Sequence, residues 1–330
     1  MAKITIMGSG TWGTAIANML ANTGHEVTLY SRFEKECNLL KSELKHPNLP
    51  GCVLSDKIVF TTEKENAIKS AEMVVIACPS PYVRETVQGI KDLLNINQII
   101  ITVAKGIEDT TLFTMSEVIH DVLGQEYKVV ALSGPTHAEE VSIGLPTLIV
   151  SSCEDEEVAK LVQHVFYNDT LRVYTNTDIK GVELCGALKN IIALAAGMSD
   201  GLGYGDNAKA AIVTRGLNEI TRLGKAMGCN SKTFYGLTGI GDIVVTAASK
   251  HSRNHNFGYL IGQGYSAEES FAKVGMVVEG VNALKAAKKL EAKYKVELPI
   301  IDIVYEVLVN GKDVKTAIVS LFSRAKKSEI

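Results

Sequence analysis

Lys3–Tyr30 reads KITIMGSGTWGTAIANMLANTGHEVTLY, and it decides the fold. Lys3–Met7 is a short apolar run that stops at a glycine, as a strand buried on both faces does. Gly8-Ser9-Gly10-Thr11-Trp12-Gly13 follows, then a small-residue helix over Thr14–Asn22 and a second strand over Glu26–Tyr30. Strand, GxGxxG, helix and strand in that order form the setting a dinucleotide-binding turn requires. Gly8 permits the tight turn, Gly10 lets the backbone approach a pyrophosphate, and Gly13 lets helix and strand pack closely. The first N–H groups of the helix and its positive dipole end then face the phosphates. The competing reading is a glycine-rich turn with only a structural role.

The residues after the second strand bear on the coenzyme. An acid there would bind a ribose 2′-hydroxyl, but the chain runs Ser31-Arg32-Phe33 and places no acid before Glu34. A carboxylate repels a 2′-phosphate, whereas an arginine pairs with it. NADP(H) is therefore favoured, with NAD(H) as the second coenzyme. The plainer reading of Arg32 is an exposed loop residue.

Outward from this unit the pattern continues. Strands are expected at Ile58–Thr61, Met73–Ala77, Ile99–Val103, Val129–Leu132, Thr147–Val150 and Thr170–Tyr174. Helices are expected at Phe33–Ser42, Lys64–Ser70, Tyr82–Leu94, Leu112–Leu123 and Glu154–Phe166. Such alternation predicts an α/β, Rossmann-like doubly wound sheet, mainly parallel, whose ligands lie beyond the carboxyl ends of its strands. The loops there read Cys78-Pro79-Ser80-Pro81, Ala104-Lys105-Gly106-Ile107-Glu108 and Ser133-Gly134-Pro135-Thr136-His137-Ala138-Glu139-Glu140. Lys105 suits a phosphate or carbonyl oxygen, and Gly134 and Thr136 offer N–H and hydroxyl donors. Each alone is equally a turn residue. His137 is either a general acid or the cap of a helix beginning at Ala138.

Beyond Thr175–Asp178, a cap and boundary, the chain changes character. Helices are expected at Ile179–Met198, Asn207–Met227, Ala267–Phe271, Val281–Lys293, Ile300–Val309 and Asp313–Ser320, without alternating strands. Residues 1–178 and 179–330 thus form a nucleotide-binding domain and an all-α domain. The run Gly181–Asp206, GVELCGALKNIIALAAGMSDGLGYGD, holds one basic residue, Lys189, among Leu184, Cys185, Ala187, Leu188, Ile191, Ile192 and Leu194. Desolvation lowers a lysine pKa and so suits it to proton transfer near neutrality. The alternatives are a salt-bridged core lysine or one snorkelling to the surface. The helix starts at the domain junction, which would aim Lys189 at the coenzyme cleft. Thr238-Gly239-Ile240-Gly241-Asp242 places a carboxylate after a flexible glycine turn, with Thr246 one helical turn on. Ser252-Arg253-Asn254, flanked by Lys250, His251 and His255, is expected as a basic polar loop. A planar arginine fork with an asparagine donor suits a phosphomonoester. A surface ion pair is the other reading of Arg253. Cys185 has the packing of a buried small hydrophobe.

The bulk numbers narrow the rest. The chain has 330 residues, 46% hydrophobic and 22% charged, with a net charge of −3. That suits two ordinary globular domains and gives no sign of a nucleic-acid or membrane partner. Six cysteines are scattered without a CxxC or a histidine at metal spacing, so reduced thiols and no metal are expected. The chain opens directly on a strand, so no signal peptide is expected. The longest apolar run is interrupted by Glu183 and Lys189, so no membrane span is expected.

Taken in order, GSGTWGTA, ACPS, AKGIE, SGPTHAEEV, CGALKNIIALAAGMSDGLGYGDNAKAA, GIGDIVVT, SRNHNFG and VVEG cover nearly the whole chain. Together they resemble the bacterial-type NAD(P)-dependent sn-glycerol-3-phosphate dehydrogenases. The resemblance implies reversible hydride transfer between nicotinamide and the carbonyl carbon of dihydroxyacetone phosphate, with Lys189 as proton donor and acceptor. It implies substrate contacts from Lys105, Gly134, Thr136, Lys189, Asp242, Ser252, Arg253 and Asn254. It implies NADP(H) contacts from Thr11, Trp12, Arg32, Lys105, Ala138, Arg253, Val277 and Glu279, beside the turn glycines Gly8, Gly10 and Gly13. A cytoplasmic homodimer supplying glycerol phosphate to phospholipid synthesis is also implied. Thr11-Trp12 depart from the Ser and Tyr or Phe of other members, and AASKH before Ser252 is individual to this chain. Two rivals are a keto-acid or hydroxyacyl dehydrogenase of similar architecture, and a nucleotide-sensing protein without catalysis.

Overall fold

The computed structural model describes residues 1–323, 325, 326 and 328. The chain forms two compact units, Met1–Glu183 and Leu184–Ile330. The division falls inside the helix Ile179–Gly201.

The first unit is built on eight strands: β1 (Lys3–Met7), β2 (Glu26–Tyr30), β3 (Val59–Thr61), β4 (Met73–Ile76), β5 (Ile99–Thr102), β6 (Lys128–Ser133), β7 (Thr147–Ser152) and β8 (Leu171–Asn176). They form one sheet in the order β3-β2-β1-β4-β5-β6-β7-β8. Only the β6–β7 pairing is antiparallel among the described residues. The apolar runs of the central strands are continuous because helices cover both faces. Met73, Val75, Ile99 and Ile101 enter one core with Ile4, Ile6, Leu20 and Phe166. Val74, Ile76 and Ile100 point the other way, onto Met115, Val118 and Ile119. Each such side chain contributes about 1.5–3 kcal/mol by leaving water.

Several helix ends differ from expectation. The first helix begins at Thr11, not Thr14, with Gly10 as its N-cap, so the fingerprint itself supplies the first turn. The helix expected from Leu112 begins at Met115. Leu112 adopts a φ of 65°, and the Glu117 carboxylate accepts the Thr114 N–H at 2.9 Å to fix the start. The segment expected as one helix over Tyr82–Leu94 is Val83–Gln88 followed, after Gly89, by a 3₁₀ turn at Lys91–Leu93.

The second unit is helical throughout its described regular structure. Beside the helices expected from sequence it contains Asp242–Ala248 and Arg253–Gly262. Helix Ile179–Gly201 is buried on all sides from Gly181 to Ser199. By length and composition it is the one described helix that could cross a membrane, and its apolar stretch lies wholly inside the fold. Helix Arg253–Gly262 crosses it on glycine. A Cβ on Gly197 or Gly201 would collide with the carbonyl oxygen of His255 or Tyr259, and one on Gly258 or Gly262 with that of Leu194 or Met198. No side chain separates the two backbones at this seam.

Candidate active site

In the first unit the candidate residues gather at the carboxyl ends of parallel strands. Gly8 ends β1 with a φ of 130°, a conformation that L side chains resist, and an added Cβ would lie 2.8 Å from the Ala77 carbonyl oxygen. A Cβ on Gly13 would strike the Gly8 carbonyl, so its missing side chain lets the helix settle on the turn. Gly10 differs: a Cβ there would meet nothing within 4 Å. The turn is packed from below at Gly8 and Gly13 and open at Gly10, and the helix it starts has no acidic residue in its first turn. An anionic pyrophosphate fits that cradle. Thr11 and Trp12 form the helix start, with Trp12 partly buried against the core. Ala138 opens the helix Ala138–Ser142.

Lys105, Gly134 and Thr136 are brought together. The Lys105 ammonium donates to the Gly134 carbonyl at 2.9 Å, and the Thr136 hydroxyl donates to the same oxygen at 3.1 Å. The loop carrying Lys105 is anchored three residues on. Arg84 forks onto Glu108 with two bonds of 2.8 Å, which holds that carboxyl below its usual range. His137 fills the N-cap position through its backbone, while its side chain makes no capping bond. Arg32 follows β2 and forms an exposed ion pair with Glu85 at 3.2 Å. Sequence reasoning did not find Glu85, because no local pattern marks a partner so distant along the chain.

In the second unit Lys189 is buried, 6% exposed, and Asp242 is 1% exposed. Their side chains form a direct ion pair. The Lys189 ammonium also donates to the Thr246 hydroxyl at 2.8 Å, and that hydroxyl donates to the Asp242 carbonyl at 2.6 Å. The glycines before Asp242 do not make a flexible turn. Leu237–Gly241 is a π-helical turn running directly into helix Asp242–Ala248, and a Cβ on Gly239 would collide with the Phe234 carbonyl. Close packing fixes the carboxylate. Asp242 and Thr246 then share one face, a helical turn apart.

Ser252-Arg253-Asn254 is likewise a helix start and not a loop. Ser252 is the N-cap, its hydroxyl accepting the His255 N–H at 3.2 Å, and Arg253 is exposed in the first turn. Asn254 is buried. It donates to the Asn190 side-chain oxygen at 3.0 Å and accepts the Gly280 N–H at 2.8 Å. Much of its capacity therefore ties together three helices, including the one that carries Lys189. Val277 is 39% exposed, and Glu279 begins the helix Glu279–Tyr294.

In the second unit, a buried ammonium held by a carboxylate and a hydroxyl suits proton transfer, and an exposed arginine at a helix start suits an anion. In the first, the open glycine cradle suits a phosphate. Comparison with known proteins gives each of these features a setting. Residues 3–159 match the family model for the N-terminus of NAD-dependent glycerol-3-phosphate dehydrogenase, and residues 178–319 match the model for its C-terminus. The chain is 52% identical over 335 residues to glycerol-3-phosphate dehydrogenase (NAD(P)+) 2 of Lactobacillus delbrueckii subsp. bulgaricus, covering all of this chain and 99% of the relative. It is 46% identical to the Bacillus subtilis glycerol-3-phosphate dehydrogenase (NAD(P)+), covering all of this chain and 96% of the relative. A crystal structure of glycerol-3-phosphate dehydrogenase from Coxiella burnetii superposes with a TM-score of 0.94 at 32% identity, over 98% of this chain and 99% of that one.

Proposed function

The chain belongs to the NAD-dependent glycerol-3-phosphate dehydrogenase family and interconverts dihydroxyacetone phosphate and sn-glycerol 3-phosphate with NAD(P)H, and from that premise we propose that Lys189 carries the proton of the reaction. Reduction adds a hydride to the carbonyl carbon and a proton to the carbonyl oxygen; oxidation reverses both. When bound, the nicotinamide coenzyme supplies or accepts the hydride. Lys189 gives its proton to the oxygen in reduction and takes it back in oxidation. Its positive charge also stabilises the oxyanion as it develops.

The observation that supports this role is the anchoring of a buried ammonium by Asp242 and Thr246. Asp242 offsets the desolvation of the charge, and Thr246 fixes the direction of the nitrogen. Ser252, Arg253 and Asn254 hold the substrate phosphate, with the Arg253 fork as the main charge. Binding energy at that remote group then orients the reacting carbon. Lys105, Gly134 and Thr136 bind the carbonyl and hydroxyl end, with Lys105 polarising it. Gly8, Gly10, Thr11, Trp12 and Gly13 receive the coenzyme pyrophosphate, and Arg32 its 2′-phosphate. Ala138, Val277 and Glu279 complete the coenzyme contacts, joined by Lys105 and Arg253. Residues 1–178 thus act as the coenzyme domain and 179–330 as the substrate and catalytic domain. The enzyme works as a cytoplasmic homodimer that feeds glycerophospholipid synthesis.

Following NADPH absorbance with dihydroxyacetone phosphate tests the assignment. Lys189→Ala should lower kcat about 10²–10⁴-fold, while NADPH still binds by fluorescence titration. Near-normal turnover in that variant would remove Lys189 from the reaction.

A further inference from the structure

Arg32 already has an anionic partner in this structure. Its guanidinium nitrogen lies 3.2 Å from a carboxylate oxygen of Glu85, and both side chains are well exposed. Glu85 belongs to the short helix Val83–Gln88 that follows β4. Its neighbour Arg84 bonds Glu108 and Asp121, which anchors that helix independently of Glu85. A second acid, Glu36, accepts the Ser31 hydroxyl at 3.1 Å, one residue before Arg32.

We propose that Glu85 sets the coenzyme preference by competing for Arg32. This rests on the reading of Arg32 as the 2′-phosphate partner. A 2′-phosphate must displace the carboxylate from the guanidinium fork and bear its repulsion. The neutral 2′-hydroxyl of NAD(H) meets neither penalty. Glu85 therefore holds back NADP(H) and keeps NAD(H) competitive. It acts through Arg32 and is a positioning residue.

The test is KM and kcat for NADPH and NADH in the wild type, Glu85→Gln, Arg32→Ala and the double variant. An exposed ion pair amounts to no more than about a fivefold change, and relief of repulsion adds to it. Glu85→Gln should lower the KM for NADPH about three- to tenfold, with kcat and the KM for NADH within about twofold of wild type. The gain should vanish in the Arg32→Ala background and shrink as salt is raised. If Arg32→Ala raises the NADPH KM while Glu85→Gln leaves it unchanged, Glu85 has no such role. If Arg32→Ala itself leaves the NADPH KM unchanged, the 2′-phosphate assignment fails and takes this inference with it. A Glu85→Gln effect that persists without Arg32, or a fall in kcat with both coenzymes, would also overturn it.

Discussion

Lys105 and Lys189 are both functional candidates, one in each unit, and they are satisfied differently. Lys105, half-buried at the end of β5, donates to a neutral carbonyl at 2.9 Å. Lys189, buried within a helix, is held by the Asp242 carboxylate and the Thr246 hydroxyl. A cation that keeps part of its water depends less on any single partner. One cut off from water needs an opposite charge. Glu219 offers a third case. It is buried and accepts the Ile300 and Ile301 N–H groups at 2.8 and 3.3 Å, at the start of helix Pro299–Leu308. Burial nevertheless pushes its carboxyl up to about 7. The two backbone bonds and the Arg222 charge together do not offset its desolvation.

Removing the counter-charge gives the largest test of this contrast. Asp242→Ala leaves the Lys189 ammonium buried without its partner and should lower the unfolding free energy by about 3–5 kcal/mol in urea titration. A loss below about 1 kcal/mol, the size expected of a surface pair, would break the distinction between the two lysines.

Glu219 sharpens it through pH. Its folded pKa, about 7, lies above the ordinary 4.5, so between those values the native state keeps a proton that the unfolded chain has lost. The stabilisation is complete below about 4.5 and disappears as pH rises through about 7. The shift corresponds to about 3 kcal/mol. Glu219→Gln should remove this decline, read as the difference between variant and wild-type stability from pH 5 to pH 8 (about three units, spanning the transition). Parallel stability curves for the two proteins would contradict the assignment.

The smallest effect is expected at Lys105. Lys105→Met removes a partly hydrated cation from a carbonyl, and the fold should lose less than about 1 kcal/mol. The KM for dihydroxyacetone phosphate should rise all the same. A stability loss as large as that of Asp242→Ala would mean that Lys105 is as dependent on its partner as Lys189.

The sheet was legible because its central strands are short, continuous apolar runs bounded by turn residues and alternating with helical segments. Met73-Val74-Val75-Ile76 and Ile99-Ile100-Ile101 send alternate side chains into separate cores, and no other element suits so short an apolar run between turn residues. The all-helical second unit was legible for the same kind of reason. The helix starts were less visible where function crowds them. Thr11-Trp12-Gly13, Gly239-Ile240-Gly241-Asp242 and Ser252-Arg253-Asn254 combine glycine or small polar residues with a helical backbone, so each reads locally as a loop. Tertiary contact overrides that preference, as Gly239 on the Phe234 carbonyl illustrates. Lys189, Asp242 and Thr246 could be singled out by residue type, but only the fold joins them. Asn190, which receives Asn254, and Glu85, which meets Arg32, carry no local signal of their contacts.

The glycine crossing of Ile179–Gly201 and Arg253–Gly262 makes the main chain a ruler. One helix carries Lys189, and the other begins with Arg253. With backbone lying on backbone, their spacing has little give, because no long side chain is present to swing aside. The places of Lys189 and Arg253 along the two helices are therefore registered by main-chain contact, not by side-chain packing.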